Sequence, residues 1–240
     1  ADVTHVVPGD HVITCLSAFC GHCEECLTGH PSICDGQETR RRRGQPPRLA
    51  QDEKIVQQFA NLSSFAEQML VHEHALVKIR RDMPLDKAAL IGCGVTTGVG
   101  AVHNTAKVEL GSTVAVIGCG GVGLSCINGA SIAGAGRIIA IDRISSKLDL
   151  AKTFGATDVI NASDGDLVEQ VKELTNGGVH YAFEAIGLKQ TAEQAFEMLR
   201  TGGTATLIGM IPYGEKIELQ GADFLLEKKI IGCAMGSNRF

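Results

Sequence analysis

Thr113-Val114-Ala115-Val116-Ile117-Gly118-Cys119-Gly120-Gly121-Val122-Gly123-Leu124 is the stretch that decides the fold. A short run of β-branched and small apolar residues leads directly into G-x-G-x-x-G, and a helical apolar pattern follows. Strand, sharp turn and helix start in that order open a βαβ unit. Gly118 permits the turn, Gly120 lets the backbone approach a pyrophosphate, and Gly123 lets the helix lie close on the strand. The helix start offers free N–H groups and the positive end of its dipole to phosphates. The glycines alone would also suit a tight turn with no ligand. Asp142, about 20 residues beyond the turn at the end of the second strand, favours the nucleotide, because a carboxylate there accepts hydrogen bonds from an adenosine ribose. That carboxylate repels a 2′-phosphate, so NAD is expected over NADP, although the adjacent Arg143 is of the type that accommodates the phosphate.

From Val95 to Met235 strand and helix patterns alternate. The expected strands are 113–118, 137–142, 158–161, 181–185, 204–209 and 229–233, with helices including 146–154 and 190–199. Alternation of this kind predicts an α/β domain, with a doubly wound, six-stranded parallel sheet of the Rossmann type. No internal repeat or low-complexity segment stands out.

Before that domain lies a different pattern. Cys20, Cys23, Cys26 and Cys34 form C-x2-C-x2-C-x7-C. Thiolates at two-residue gaps on a glycine-containing loop converge on one tetrahedral ion, whereas such gaps suit disulfides poorly. A structural zinc is the natural ligand, and a closed four-thiolate site has no position for substrate. Around it, residues 1–36 read as a short strand pair plus the cysteine loop, with a turn at Pro8, Gly9 and Asp10. Residues 37–52, with Arg40 to Arg43 and then Pro46 and Pro47, read as an exposed loop. Residues 65–79 return to strand-like alternation in Phe65, Met69, Val71 and Val77.

The 240 residues are 44% hydrophobic and 20% charged with a net charge of −5. That balance asks for neither nucleic acid nor membrane, and the Arg40 to Arg43 run reads as a solvated loop in an acidic chain. Nine cysteines, four of them at metal spacing, point to a reducing compartment, the cytoplasm. No apolar run is expected to approach the roughly 20 residues that span a bilayer. Cys119 and Cys126 suit packing as small hydrophobes.

Taken together, Cys20 to Cys34, Gly92-Cys93-Gly94-Val95-Thr96-Thr97-Gly98, the Gly118 to Gly123 turn with Asp142, and Phe154-Gly155-Ala156-Thr157-Asp158 make the chain closely resemble the zinc-dependent alcohol dehydrogenases of the medium-chain dehydrogenase/reductase family. The resemblance implies three parts: a partial GroES-like, β-rich catalytic domain over 1–94 with its zinc lobe at about 20–34, an NAD-binding domain over 95–235, and a return towards the catalytic domain at 236–240. It implies NAD and both a structural and a catalytic zinc. Cys93 matches one catalytic-zinc ligand. The family's other ligands, a cysteine and a histidine followed by glutamate, are expected upstream of residue 1, and His72, His74, His103 and His180 do not match them. The chain therefore reads as an internal piece, expected to be inactive by itself, and no proton-relay residue is assigned.

The same resemblance implies cofactor contacts at Thr97, Gly118, Cys119, Gly120, Gly121, Val122, Gly123, Asp142, Lys147, Ile208, Gly209 and Met210. It implies reversible oxidation of an alcohol to an aldehyde or ketone, a small-molecule substrate, and a homodimer or homotetramer for the full-length protein. Two alternatives stay open: a dehydrogenase acting on a glutathione-type thiol adduct of formaldehyde, and a non-catalytic NAD-binding module with a structural zinc.

Overall fold

The structure, a computed structural model, describes residues 3–39 and 44–240. The Arg40 to Arg43 run lies outside the described residues. The chain divides into two compact units, residues 1–93 with 238–240, and residues 94–237.

In the first unit β1 (Val12–Thr14) pairs antiparallel with β4 (Leu76–Lys78), placing Ile13 opposite Val77. The ladder extends through Cys15 N–H to the Ala75 carbonyl and Ile79 N–H to the His11 carbonyl, both 2.9 Å. Ile13, Cys15, Leu62, Ala75 and Ala88 are among the buried apolar residues of this unit. The expected strand pair within residues 1–36 is instead one strand, partnered 60-odd residues away. The expected exposed loop at 37–52 holds a strand as well: β2 (Leu49–Gln51) turns back on β3 (Lys54–Val56) through Asp52 and Glu53, both at positive φ. The alternation over 65–79 yields only β4. Phe65 is wholly exposed, and the chain just before it is committed to a local turn in which Ser63 accepts the Phe59 N–H.

The second unit is a six-stranded parallel sheet in the order β10-β9-β8-β5-β6-β7. Its strands are β5 (Thr113–Ile117), β6 (Arg137–Asp142), β7 (Asp158–Asn161), β8 (Val179–Glu184), β9 (Leu199–Leu207) and β10 (Lys229–Gly232). Alternate residues of β5 and β6 serve opposite faces. Ala115, Ile117, Ile139 and Ile141 join the core beneath α6 (Leu167–Thr175) and α7 (Lys189–Glu197). Val114, Val116, Ile138 and Ala140 join that beneath α4 (Gly121–Ile132) and α5 (Ser145–Thr153). Burial on both faces explains why these strands read as continuous apolar runs. The chain winds from β5 outwards to β7, then crosses to β8 on the other side of β5. The C-terminal ends of β5 and β8 thus flank the switch point where ligands of such sheets bind.

Leu85–Ala106 is one helical stretch of 22 residues, long and apolar enough to cross a bilayer by length and composition. The sequence expectation of no such run is corrected accordingly. It contains α2 (Leu85–Ala88) and α3 (Thr96–Gly100), with wider π-type turns at Ile91–Val95 and Ala101–Ala106. Its second half packs closely: Ala101 and Val102 are fully buried, and a Cβ on Gly98 would stand 2.4 Å from the Val122 carbonyl oxygen of α4. Of the four histidines set aside above, His180 lies inside β8, where its Nδ1 accepts the Thr113 N–H at 3.0 Å.

Candidate functional site

A cleft of about 730 Å³ opens at the C-terminal ends of the strands. Gly118 follows β5, Asp142 ends β6, Ala162 and Ser163 follow β7, and Ala185 and Ile186 follow β8, and all line it. The glycines of the turn have separate tasks. Gly118 has φ +98°, a conformation that costs other residues energy. A Cβ on Gly123 would lie 1.7 Å from the Gly118 carbonyl oxygen, so only glycine lets α4 approach β5. By contrast, a Cβ on Gly120 or Gly121 would meet nothing within 4 Å. The packing of the described residues does not require glycine there, and the open volume lies over the helix start, where none of the described side chains caps the free N–H groups. That is the cradle a pyrophosphate would fill.

Asp142 braces the turn as well as facing the cleft. Its Oδ2 accepts the Cys119 N–H at 2.8 Å, its Oδ1 accepts the Ile144 N–H at 3.0 Å, and Lys147 Nζ stands 3.9 Å from Oδ2. Both Lys147 and Arg143 line the cleft. Burial pushes the Cys119 thiol up to about 12, with the Asp142 charge adding to it, so this sulfur stays a neutral packing group.

Of the expected cofactor contacts, Gly118, Gly120, Asp142 and Lys147 line this cleft. Cys119 is buried with its side chain turned to the Ile141 carbonyl, and Gly123 is enclosed between α4 and β5. Gly121 and Val122 form the first turn of α4 outside the lining. Thr97 is buried on α3, 3.8 Å from the Met235 sulfur, and is not part of the lining. Ile208 and Gly209 donate their N–H groups to the Glu184 carbonyl, and Met210 is exposed. The sequence reading passed over Ala162, Ser163, Ala185, Ile186 and Thr191, which line the cleft. Their signal was positional: the first four follow directly on strand ends of a parallel sheet.

In the first unit the four cysteines of the lobe converge, their sulfurs all within 4.8 Å of one another. Cys20 and Cys26 Sγ are 3.9 Å apart, and Cys23 and Cys34 Sγ 3.8 Å. Tetrahedral zinc with Zn–S of about 2.3 Å sets its thiolates roughly 3.8 Å apart, so the donor set fits this ion. Backbone N–H groups point at the sulfurs, Cys23 to Cys20 at 3.2 Å and Cys20 and Gly36 to Cys34 at 3.3 Å. Such donors would support and orient sulfurs bound to an ion. The Cys26 backbone N–H holds the Cys23 thiol down to about 7, whereas burial pushes Cys26 up to about 12. Four sulfurs this close would repel one another as thiolates without a cation between them, and an ion bound here would supply that charge. Gly36 must be small, because a Cβ would stand 2.8 Å from Cys20 Sγ. His22 and Glu38, whose Nε2 and Oε1 lie 2.8 Å apart, flank Cys20 from the exposed side. Cys93 is exposed within the π-type turn Ile91–Val95.

Comparison with known proteins accords with both halves. The alcohol dehydrogenase GroES-like domain family matches residues 1–82, and the zinc-binding dehydrogenase family matches residues 121–240. The class-3 alcohol dehydrogenase of Oryza sativa subsp. japonica is 40% identical over 242 residues, covering 98% of this chain and 64% of that protein. The S-(hydroxymethyl)glutathione dehydrogenase of Photobacterium damsela subsp. piscicida is 41% identical over 241 residues, covering 98% and 65%. The crystal structure of benzyl alcohol dehydrogenase from Acinetobacter calcoaceticus superposes with a TM-score of 0.89 at 36% identity, covering all of this chain and 66% of that one. The chain thus spans less than two thirds of the length of these curated relatives.

Proposed function

This chain belongs to the zinc-binding dehydrogenases, the zinc-dependent alcohol dehydrogenases of the medium-chain family, and we propose that the whole protein oxidises an alcohol to an aldehyde or ketone with NAD, reversibly. The observation that carries the reading is the open volume over Gly120, between Gly118 and Gly123 that are packed to atomic contact, with Asp142 at the end of the next strand. The turn and the free N–H groups of α4 would bind the pyrophosphate, and Asp142 and Lys147 the adenosine ribose. Asp142 in this place favours NAD over its 2′-phosphorylated form. Thr97, Ile208, Gly209 and Met210 complete the expected set on the nicotinamide side.

Cys20, Cys23, Cys26 and Cys34 would hold the structural zinc, and Cys93 is the proposed ligand of the catalytic one. When bound, a zinc with an open position acidifies the alcohol hydroxyl, and the nicotinamide ring accepts the hydride. This chain's own part is to bind and orient the dinucleotide, and to keep the lobe folded around its ion.

The substrate is one of two classes. A simple alcohol is the first reading, and a glutathione-type hydroxymethyl thiol adduct is the second, favoured by relatives of that name at 41% identity. A cytoplasmic setting and a homo-oligomer belong to the same proposal. Calorimetric titration of the chain with NAD tests the cofactor half, and absence of binding by zinc-loaded, folded chain would refute it. Nicotinamide reduction by the whole protein, with ethanol against S-(hydroxymethyl)glutathione as substrates, separates the two classes.

A further inference from the structure

Glu184 ends β8 with no exposed surface. Its Oε1 accepts three hydrogen bonds, from the N–H groups of Ile186 at 2.9 Å and Gly187 at 2.8 Å, and from the Thr191 hydroxyl at 2.8 Å. Its backbone carbonyl accepts two more, from the N–H groups of Ile208 at 2.9 Å and Gly209 at 3.0 Å. One residue thereby ties together the loop after β8, the first turn of α7 and the end of β9. Among the described residues its Oε2 has no hydrogen-bond partner, and it lies against Gly209, where a Cβ would be 2.5 Å away. Burying a carboxylate is costly unless its bonds are needed, and an aliphatic side chain would fill the same space at lower cost.

What the bonds hold is a wall of the cleft. Ala185, Ile186, Leu188 and Thr191 all line it. The wall also bears directly on the glycine turn: a Cβ on Gly118 would stand 2.6 Å from Ile186 Cγ1 and 3.3 Å from the Ala185 carbonyl carbon. Behind it, Gly187 at φ +94° lies so close to Met210 that a Cβ would be 2.7 Å from the Met210 nitrogen. The loop from 185 to 188 is thus trapped between the turn and the strand end, and the Glu184 carboxylate sets its register.

We infer that Glu184 is a positioning residue for the dinucleotide, its carboxylate fixing the 185–188 wall against Gly118 at the width the cofactor requires; this rests on the cofactor reading above. The carboxylate acts through the loop, by holding the Ile186 and Gly187 amides in place before the ligand arrives. Without it the ligand must order the loop on binding, and affinity falls.

The test uses the 240-residue chain and the variants Glu184→Gln, Glu184→Leu and Thr191→Val. Hydrogen exchange at the Ile186 and Gly187 amides, without nucleotide, reads the loop, and calorimetry with NAD reads the cleft. The glutamine amide oxygen keeps an acceptor facing the Ile186 and Gly187 N–H groups, so Glu184→Gln is expected to keep both amides protected and to bind NAD within about threefold of wild type. Thr191→Val removes one donor and is expected to weaken binding roughly 3- to 10-fold. Glu184→Leu removes the acceptor, and its amides should exchange faster and its binding weaken more than about tenfold. If the leucine variant does not fold, the glutamine and valine variants decide. Binding unchanged in Thr191→Val and in any folded Glu184→Leu, or a glutamine variant as weak as the leucine one, would overturn the inference while leaving the cofactor reading intact. Failure of the wild-type chain to bind NAD would overturn both.

Discussion

Gly120 and Gly123 sit three residues apart in one turn, and alanine at each should fail in opposite ways. At Gly123 the added methyl would lie 1.7 Å from the Gly118 carbonyl oxygen and 2.9 Å from its carbon. Non-bonded heavy atoms settle near 3.5 Å, so α4 would have to retreat from β5 by about 1.5–2 Å. Overpacking of this kind costs about 1–3 kcal/mol, and contact this close belongs at the upper end. For a domain of this size that lowers the unfolding midpoint by roughly 6–12 °C. At Gly120 the backbone has φ −81° and ψ −171°, open to any residue, and nothing lies within 4 Å of the new methyl. The cost of alanine at a helix N-cap, up to about 1 kcal/mol, is largely offset by the lower entropy of the unfolded chain. Gly120→Ala should therefore unfold within about 3 °C of wild type. Its methyl nevertheless occupies the space proposed for the pyrophosphate, and losing about 2 kcal/mol of that contact weakens NAD binding about 30-fold. Thermal unfolding by circular dichroism and calorimetric NAD titration on both variants decide the matter. NAD binding by Gly120→Ala at wild-type strength, or a Gly123→Ala chain as stable as wild type, would refute the reasoning.

Other perturbations probe other parts. Asp142→Asn keeps an acceptor for the Cys119 N–H but removes the charge facing a 2′-phosphate, so the preference for NAD over NADP should narrow about tenfold; an unchanged ratio of dissociation constants would contradict this. The lobe should carry one zinc, read by metal analysis, and lose it in Cys26→Ser; retention should also fall as pH falls, because each proton returning to a thiol competes with the ion. Burial, and then Arg200, lower the pKa of His180 from its ordinary 6.5. The unfolded chain therefore binds the extra proton, and stability should drop as pH falls below about 6.5. Comparing unfolding midpoints at about pH 5.5 and pH 7.5 should show a smaller loss for His180→Gln than for wild type; an equal loss would remove His180 as a cause.

The turn from Gly118 to Gly123 and the four-cysteine lobe were legible because each depends on residues close in sequence whose spacing encodes geometry. The parallel sheet was legible for a related reason. Strands such as β5 and β6 are apolar on both faces, and the Gly111, Gly134 and Gly155 turns between elements punctuate them. The first unit was harder to read. Its strands are three residues long, and β1 finds its partner in β4 across more than 60 residues, so no local alternation reveals the pairing. Phe65 fits an apolar strand pattern yet lies in solvent, because periodicity carries no information about which face has a partner. Glu184 was invisible for the opposite reason. A glutamate between Phe183 and Ala185 looks like an exposed strand end, and only the fold shows three donors turned onto one of its oxygens. Leu85–Ala106 escaped because its glycines dilute the apolar run, although they are what lets it pack, as Gly98 does on α4.

Calorimetric titration of the zinc-loaded 240-residue chain with NAD tests the central claim most directly. The account predicts saturable binding of one NAD per chain, abolished or sharply weakened by Gly120→Ala. A folded, zinc-loaded chain that takes up no NAD would contradict it.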